Sequence, residues 1–376
     1  MSDFDLHKHL VGRQGSRSAL NTPVLVIDRD AMQRNIDAMA AFARQQGVAL
    51  RPHAKTHKSV EIAKLQVAAG AVGVCCAKLG EAEALAAGGV GDILITSPVV
   101  TPQAIERLIV LNGKVGELRL VADNPDNVDA LAAAAKAAGK TLNVLVDIDP
   151  GIRRTGVASP EAALALARRI AAAEMLRFAG VQYYCGAQQH IESYADRRAA
   201  IADRTDYLRS VIAALAEGGY APDVVTGGGT GTHRIDAELG VLTELQAGSY
   251  VFMDKQYNDC DLGDGKSFET SLFVDAHVIS ANSASMATID AGFKALSTDG
   301  GLPVVVDGAP SGAMFVFMGD EHGALIAPDH AFRIGDCVSL AVPHCDPTVN
   351  LYDAYHVVRD GALIDIWPVS ARGRSR

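Results

Sequence analysis

From Leu50 to Tyr250 the chain repeats one unit: a short, nearly continuous run of Val, Ile and Leu, then an alanine-rich stretch with helical spacing. Few folds accept that alternation. A strand that is apolar throughout must be buried on both faces, and helices packed on both sides of a parallel sheet achieve this. The runs are LRPHAK (50–55), VGVCCA (72–77), DILIT (92–96), LRLVA (118–122), LNVLVDI (142–148), AGVQYY (179–184), DVVTGG (223–228) and ELQAGSY (244–250). Helical stretches such as Asn127–Ala138 and Glu161–Ala173 separate most of them. Eight such strands predict an α/β chain folded as a (β/α)8 TIM-like barrel. An open doubly wound sheet shows a similar alternation and is the competing architecture. Upstream, TPVLVID (22–28) reads as a strand, followed by a helix with Met32, Ile36, Met39 and Phe42 at helical spacing and a stop at Gly47.

The alternation ends near Asp254. A polar, glycine-bearing stretch, KQYNDCDLGDGKSFET, reads as a junction. Beyond it, SLFVDAHVISA, MATIDAG, PVVVDG, MFVFMGDEHG, DCVSLAVPH, AYHVVRDG and ALIDIWPV all have strand texture and closely spaced turn signals, which predicts an antiparallel β domain. The net charge of -10, with no basic tract outside the Arg372–Arg376 tail, argues against nucleic-acid binding. No apolar run approaches the ~18 residues of a membrane span, and MSDFDLHKHL lacks the apolar segment of a signal peptide. Cysteines 75, 76, 185, 260, 337 and 345 form neither a disulfide framework nor a CxxC pair. Reduced thiols in the cytoplasm are expected.

Loops at the C-terminal ends of barrel strands converge on one mouth. His53, Lys55, His57 and Lys58 close the first strand. A lysine at the end of a buried strand is costly to keep as an ammonium, and desolvation lowers its pKa. A Schiff-base lysine needs that, since it attacks a carbonyl only after losing its proton. TGGGTGTH (226–233) and AGSY (247–250) offer glycine-rich backbone amides to a phosphate, although a tight turn needs the same residues. The spacing is neither a Walker A loop nor GxGxxG with its acidic partner. A small phosphorylated cofactor opposite an imine lysine points to pyridoxal phosphate. In the β region, His344 and Asp346 are two apart in VPHCDPT. On a strand that spacing puts both on one face and turns Cys345 away. Imidazole plus carboxylate suits Mn, Mg, Co or Zn. Two protein ligands leave the open positions of a catalytic metal.

The chain resembles the D-threonine aldolase and D-serine dehydratase-like group of the alanine racemase fold, the fold type III pyridoxal-phosphate enzymes. The resemblance rests on RPHAKTHK, GVCCAKLGEAE, DPGIRRTGV, GVQYYCGAQQH, VTGGGTGT, TELQAGSYVFMD, DAGFKAL, GDEHG, PHCDPTVNLYD and WPVSARG, in that order. It implies a barrel of the alanine racemase N-terminal type over residues 29–255, and a β domain of residues 1–28 and 256–376 that carries the metal site. It implies Lys55 as the imine lysine and Gly228, Gly229, Thr230, Gly248, Ser249 and Tyr250 as the phosphate cradle. Arg154 then lies near the cofactor's phenolic oxygen and the substrate carboxylate, Tyr184 near the pyridine nitrogen, and His190 is the general base. An ordinary imidazole pKa would suit that last task. Read alone, Arg154 is also a surface cation, Tyr184 a core tyrosine and His190 a solvated loop residue.

Dehydratase-like members carry HxC where this chain has His344 and Asp346, which tilts the resemblance toward the aldolases. Departures from the pattern are Ala77 for glutamine, Ser97-Pro98 for Asn-Glu, and Cys185 for histidine. All are expected at strand ends facing the mouth, where they would reshape substrate binding. The resemblance implies a metal-dependent lyase cleaving D-3-hydroxy amino acids, of D-threonine or 3-hydroxy-D-aspartate type, to glycine and an aldehyde. It also implies a homodimer with the active site where domains and subunits meet. The alternatives are a D-serine or D-3-hydroxyaspartate dehydratase, then an amino-acid racemase, then a non-catalytic pyridoxal-phosphate carrier, although such carriers lack the β domain.

Overall fold

Local sequence sets the repeat. Thr101, Asn124 and Ser159 each accept a hydrogen bond from the first turn of the helix that they precede. Each is followed by a proline, whose fixed φ and missing N–H suit the first helical position. In a computed structural model, which describes residues 2–376, such helices alternate with eight parallel strands. After a first strand β1 (Val24–Asp28), these are β2 (Ala49–Leu50), β3 (Val74–Cys76), β4 (Asp92–Ile95), β5 (Glu117–Ala122), β6 (Leu142–Ile148), β7 (Leu176–Tyr183), β8 (Val225–Gly227) and β9 (Glu244–Leu245).

Their order, β2-β9-β8-β7-β6-β5-β4-β3, curls the sheet round so that β3 returns to β2. A bridge between His53 and Cys75 closes it, with Ala54 N–H on the Cys75 carbonyl and Cys75 N–H on the Pro52 carbonyl, both 2.8 Å. This is the (β/α)8 barrel, not the open sheet. The expected first strand, 50–55, shrinks to two residues because Pro52 has no amide to donate and the chain then leaves the sheet. At the N-terminal end of the barrel, fully buried Arg51 binds Glu244 (2.9 Å) and Asp92 (2.6 Å), which plugs the end away from the mouth.

The second sheet contains β1 with β10 (Leu272–Ser283), β11 (Met286–Ile289), β12 (Val304–Asp307), β13 (Met314–Phe317), β14 (Gly323–Ile326), β15 (Cys337–Ala341), β16 (Ala354–Arg359) and β17 (Ala362–Pro368). Its pairings are antiparallel apart from one: β1 runs parallel to β16 on one side and antiparallel to β10 on the other. The helix Arg29–Gln46, capped by Asp28 and ended by Gly47 in the left-handed region, buries Met32, Ile36 and Met39. They join Leu25, Tyr250, Phe252, Leu272 and Tyr355 in one core that welds the two sheets.

Candidate active site

Four basic side chains enter the barrel mouth on the loop after β2, and the fold disposes of three. Lys58, at φ 50, is buried and paired with Glu81. The other Glu81 oxygen accepts from Ala77 N–H (2.8 Å), at the turn into the next helix. His57 is buried between Gln66 Oε1 (3.2 Å) and Ser59 N–H (3.1 Å), and burial pushes its pKa down to about 4. His53 lies 3.1 Å from Thr96 Oγ1, and burial, then the charge of Lys55, holds its pKa well below the usual value. Lys55, the one of the four that is not buried, reaches into the cavity, whose wall includes His53. The β body pins this loop from outside, through Tyr355 Oη on the His57 carbonyl (2.5 Å) and Ala371 N–H on the Lys58 carbonyl (2.9 Å).

Lys55 Nζ donates to Asp346 Oδ1 at 2.6 Å, across 291 residues of chain. Burial works to lower the lysine pKa, as the sequence predicts. The charge of Asp346, with Tyr184 and Cys345, outweighs it and raises the pKa instead. The expected depression is therefore reversed in the free chain. The same pair holds Asp346 well below the ordinary carboxylate range, against its own burial. Asp346 Oδ2 accepts from Thr56 Oγ1 (3.2 Å) and stands 3.8 Å from His344 Nε2.

His344 and Asp346 do come together, but not by strand alternation. β15 ends at Ala341, His344 caps the short helix Cys345–Val349, and Asp346 lies in its first turn. Cys345 is fully buried, with Sγ 3.7 Å from Asp346 Oδ2. Asp254, which the sequence reading missed, holds this turn over the barrel. Its carboxylate accepts Cys345 N–H (2.9 Å) and Tyr257 N–H (3.1 Å), and burial raises its pKa. An aspartate right after an apolar strand-and-turn run was its only signal.

The cavity around Lys55 has a volume of about 570 Å³ and is lined by His53, Ser97, Arg154, Tyr184, Gln182 and Gln246, among others. Arg154 extends over the Tyr184 ring, 5.8 Å from its centroid, and makes no ion pair among the described residues. Beneath, Gln182 Nε2 bridges the Thr96 carbonyl (3.1 Å) and Asp147 Oδ1 (2.9 Å), and burial pushes the Asp147 pKa up to about 6. The two glycine loops meet where Tyr250 N–H donates to Thr230 Oγ1 (2.9 Å). Gly229 N–H is used by Thr232 Oγ1 (3.2 Å), and the Tyr250 ring is buried with Oη accepting from Gln66 (3.0 Å). The amides of Thr230, Gly248 and Ser249 donate to no acceptor among the described residues. A Cβ on Gly248 would lie 2.8 Å from the His53 carbonyl and 2.9 Å from Thr56 Oγ1, so this loop presses directly on the Lys55 loop. Three free amides on loops that press on the Lys55 loop fit the phosphate of a phosphorylated cofactor.

His190 is exposed, with its ring centroid 4.4 Å from that of Tyr257. Protein packed round the ring, then the nearby His344 and Lys55, lower its pKa from the ordinary value expected. Of the departures, Ala77 and Ser97 line the Lys55 cavity, and Pro98 lines only an adjoining one. Cys185 does not face the mouth: it is buried beside Thr205 and Leu208, on the helix side of β7. No three His, Cys, Asp or Glu side chains suited to a cation cluster among the described residues. His344 Nε2 and Asp346 Oδ2, 3.8 Å apart, lie within the span of two metal–ligand bonds of about 2.0–2.2 Å.

Residues 27–256 match the alanine racemase N-terminal domain, and residues 271–358 a serine dehydratase domain. The chain is 40% identical, over 95% of its length and 93% of the relative's, to a 3-hydroxy-D-aspartate aldolase of Paracoccus denitrificans (strain Pd 1222). It is 31% identical, over 94% of its length and 98% of the relative's, to a D-threo-3-hydroxyaspartate dehydratase of Delftia sp. (strain HT23). The crystal structure of a D-threonine aldolase from Filomicrobium marinum superposes with a TM-score of 0.91 at 40% identity, covering 95% of this chain and 96% of that one.

Proposed function

The chain belongs to the alanine racemase N-terminal domain family, and from that premise we propose that it is a pyridoxal-phosphate-dependent lyase, an aldolase that cleaves D-3-hydroxy amino acids to glycine and an aldehyde. The observation that carries this reading is the contact of Lys55 with Asp346, beside His344, which brings an amine on the loop after β2 against a metal-type motif on the turn after β15. The cofactor supplies an electron sink for the Cα carbanion left by Cα–Cβ cleavage. Lys55 Nζ would be its covalent anchor, and the amides of Thr230, Gly248 and Ser249 would hold its phosphate, with Gly228, Gly229 and Tyr250 shaping the cradle. Tyr184, which lines the cavity, would face its ring, and the Arg154 guanidinium would bind the substrate carboxylate.

His190 takes the proton from the substrate β-hydroxyl, and the lowering of its pKa favours the neutral ring that a base needs. A divalent cation of the Mn, Mg, Co or Zn type, held by His344 and Asp346, would acidify that hydroxyl. Asp346 keeps Lys55 protonated in the free chain, so the lysine must release a proton before it can attack a carbonyl. The 3-hydroxy-D-aspartate or D-threonine class of substrate follows from the relatives. Dehydration is the second reading, since Lys55 could instead remove the Cα proton.

The reading divides the chain into residues 29–255 and a β body of the flanking segments. The place of β1 between β10 and β16, and the Asp254 clamp, support that division. A homodimer is supported by exposed apolar residues on β12 (Val304 and Val306), on β13 (Met314 and Val316) and just beyond it (Met318), and sedimentation at the monomer mass would refute it. Six free cysteines, and no helix among the described residues long and apolar enough to cross a membrane, favour the cytoplasm. The deciding assay incubates the cofactor-loaded enzyme with D-threonine, D-3-hydroxyaspartate and D-serine. Glycine with an aldehyde is expected; keto acid and ammonia would replace the aldolase reading with the dehydratase.

A further inference from the structure

We propose that Asp299 is a positioning residue, which fixes the His344 ring so that Nε2 faces Asp346 and any divalent cation the pair binds. This rests on the metal reading above. Asp299 Oδ2 lies 2.6 Å from His344 Nδ1. A carboxylate only accepts, so Nδ1 carries the proton and the lone pair of the ring is at Nε2, 3.8 Å from Asp346 Oδ2. A histidine that donates its far N–H to a carboxylate is both oriented and made more basic as a ligand.

The loop that brings Asp299 there is locked to the His344 turn by bonds unrelated to the carboxylate. The hydroxyls of Ser297 and Thr348 both lie on the His344 carbonyl, at 3.1 and 2.8 Å. Ser297 N–H donates to Thr348 Oγ1 (3.1 Å), and Tyr352 Oη donates to the Ala295 carbonyl (2.8 Å). Gly300 makes the approach possible: a Cβ there would meet the Pro343 carbonyl at 2.7 Å and His344 Cβ at 3.1 Å. Fold stability is a poor reason for such construction. The Asp299 side chain is 54% exposed and His344 24%, and ion pairs of that exposure contribute little.

The test uses the cofactor-loaded enzyme, stripped with a chelator and titrated with Mn2+ in a calorimeter. Asp299→Ala is expected to weaken Mn2+ binding by about 10- to 100-fold. Asp299→Asn, whose side-chain oxygen still accepts from Nδ1, should recover most of it. Asp346→Ala should remove binding altogether. Mn2+ affinity unchanged in Asp299→Ala overturns the positioning role. Equal Mn2+ affinity in wild type and Asp346→Ala overturns the metal reading itself. Nitrogen NMR of the metal-free wild-type His344 ring needs no variant: the Nδ1–H form is expected, and the Nε2–H form would overturn the proposal.

Discussion

Lys55 and Lys58 lie three positions apart in one basic loop, yet their partners separate them. Lys58 is enclosed with Glu81, whose second oxygen caps the next turn, and moving it would strand a buried carboxylate. Lys55 points into the cavity, and its partner Asp346 comes from the short helix after β15. Borohydride reduction of the loaded enzyme should therefore fix the cofactor on a peptide at Lys55, and label recovered on Lys58 would contradict the assignment. The sign of the lysine shift can be tested too. Asp346 raises it and burial lowers it, so Asp346→Ala should drop the Lys55 pKa below its ordinary value. In the cofactor-free variant, Lys55 should react faster with an amine-directed reagent at neutral pH, even as lyase activity is lost. An unchanged rate profile would mean that Asp346 does not control the amine.

At the level of elements, the turn from Ala341 to Val349 is where local pattern and observed structure part. HxD on a strand and HxD across a helix N-terminus can both place two side chains together. Here the helix does it, and the barrel holds it through Asp254, with Lys255 N–H on the Val342 carbonyl at 3.1 Å. Replacing Asp254 with alanine leaves two buried amides unpaired, a cost of about 1–3 kcal/mol each. The turn should then loosen over the mouth. Turnover is expected to fall at least about tenfold, while absorbance of the bound cofactor stays near wild type because the glycine loops are untouched. Loss of the cofactor together with activity would show that Asp254 supports the barrel rather than the turn.

Across the whole molecule, the N-terminal segment is stitched to the β body by two buried imidazoles. His7 Nε2 accepts Asn21 N–H (2.9 Å), so His7 Nδ1 carries the proton that it donates to His356 Nε2 (2.8 Å). Charging either ring would oppose two protons across that contact. Burial, then the neighbouring His7, pushes the His356 pKa from 6.5 to about 4. Burial also lowers His7, where Asp3 opposes the shift and His9 adds to it. The folded state thus binds fewer protons than the unfolded one between these values. The contribution is complete above pH 6.5 and is lost as pH falls toward 4, by up to about 1.4 kcal/mol per pH unit for His356. Thermal midpoints should fall across that window, and His356→Gln should flatten the dependence. An equally steep profile in the variant would place the acid sensitivity elsewhere.

What the sequence determined by itself is the part governed by neighbours along the chain. Eight apolar runs demand burial on both faces, Thr-Pro, Asn-Pro and Ser-Pro start helices, and glycines permit the loops of 226–233 and 247–250 to approach closely. These requirements survive whatever lies nearby, so the barrel, the second sheet and the position of Lys55 at the mouth could be read from the residues. The tertiary structure decided charge and direction. Lys55 is held as an ammonium, Cys185 faces a helix, His57 and Lys58 are enclosed, and Asp254 clamps the His344 turn. Each of those outcomes depends on a partner distant in sequence, such as Asp346 at 291 residues from Lys55. A pKa or a side-chain direction is set by the atoms within a few ångströms, and which atoms those are is known only once the chain has closed on itself.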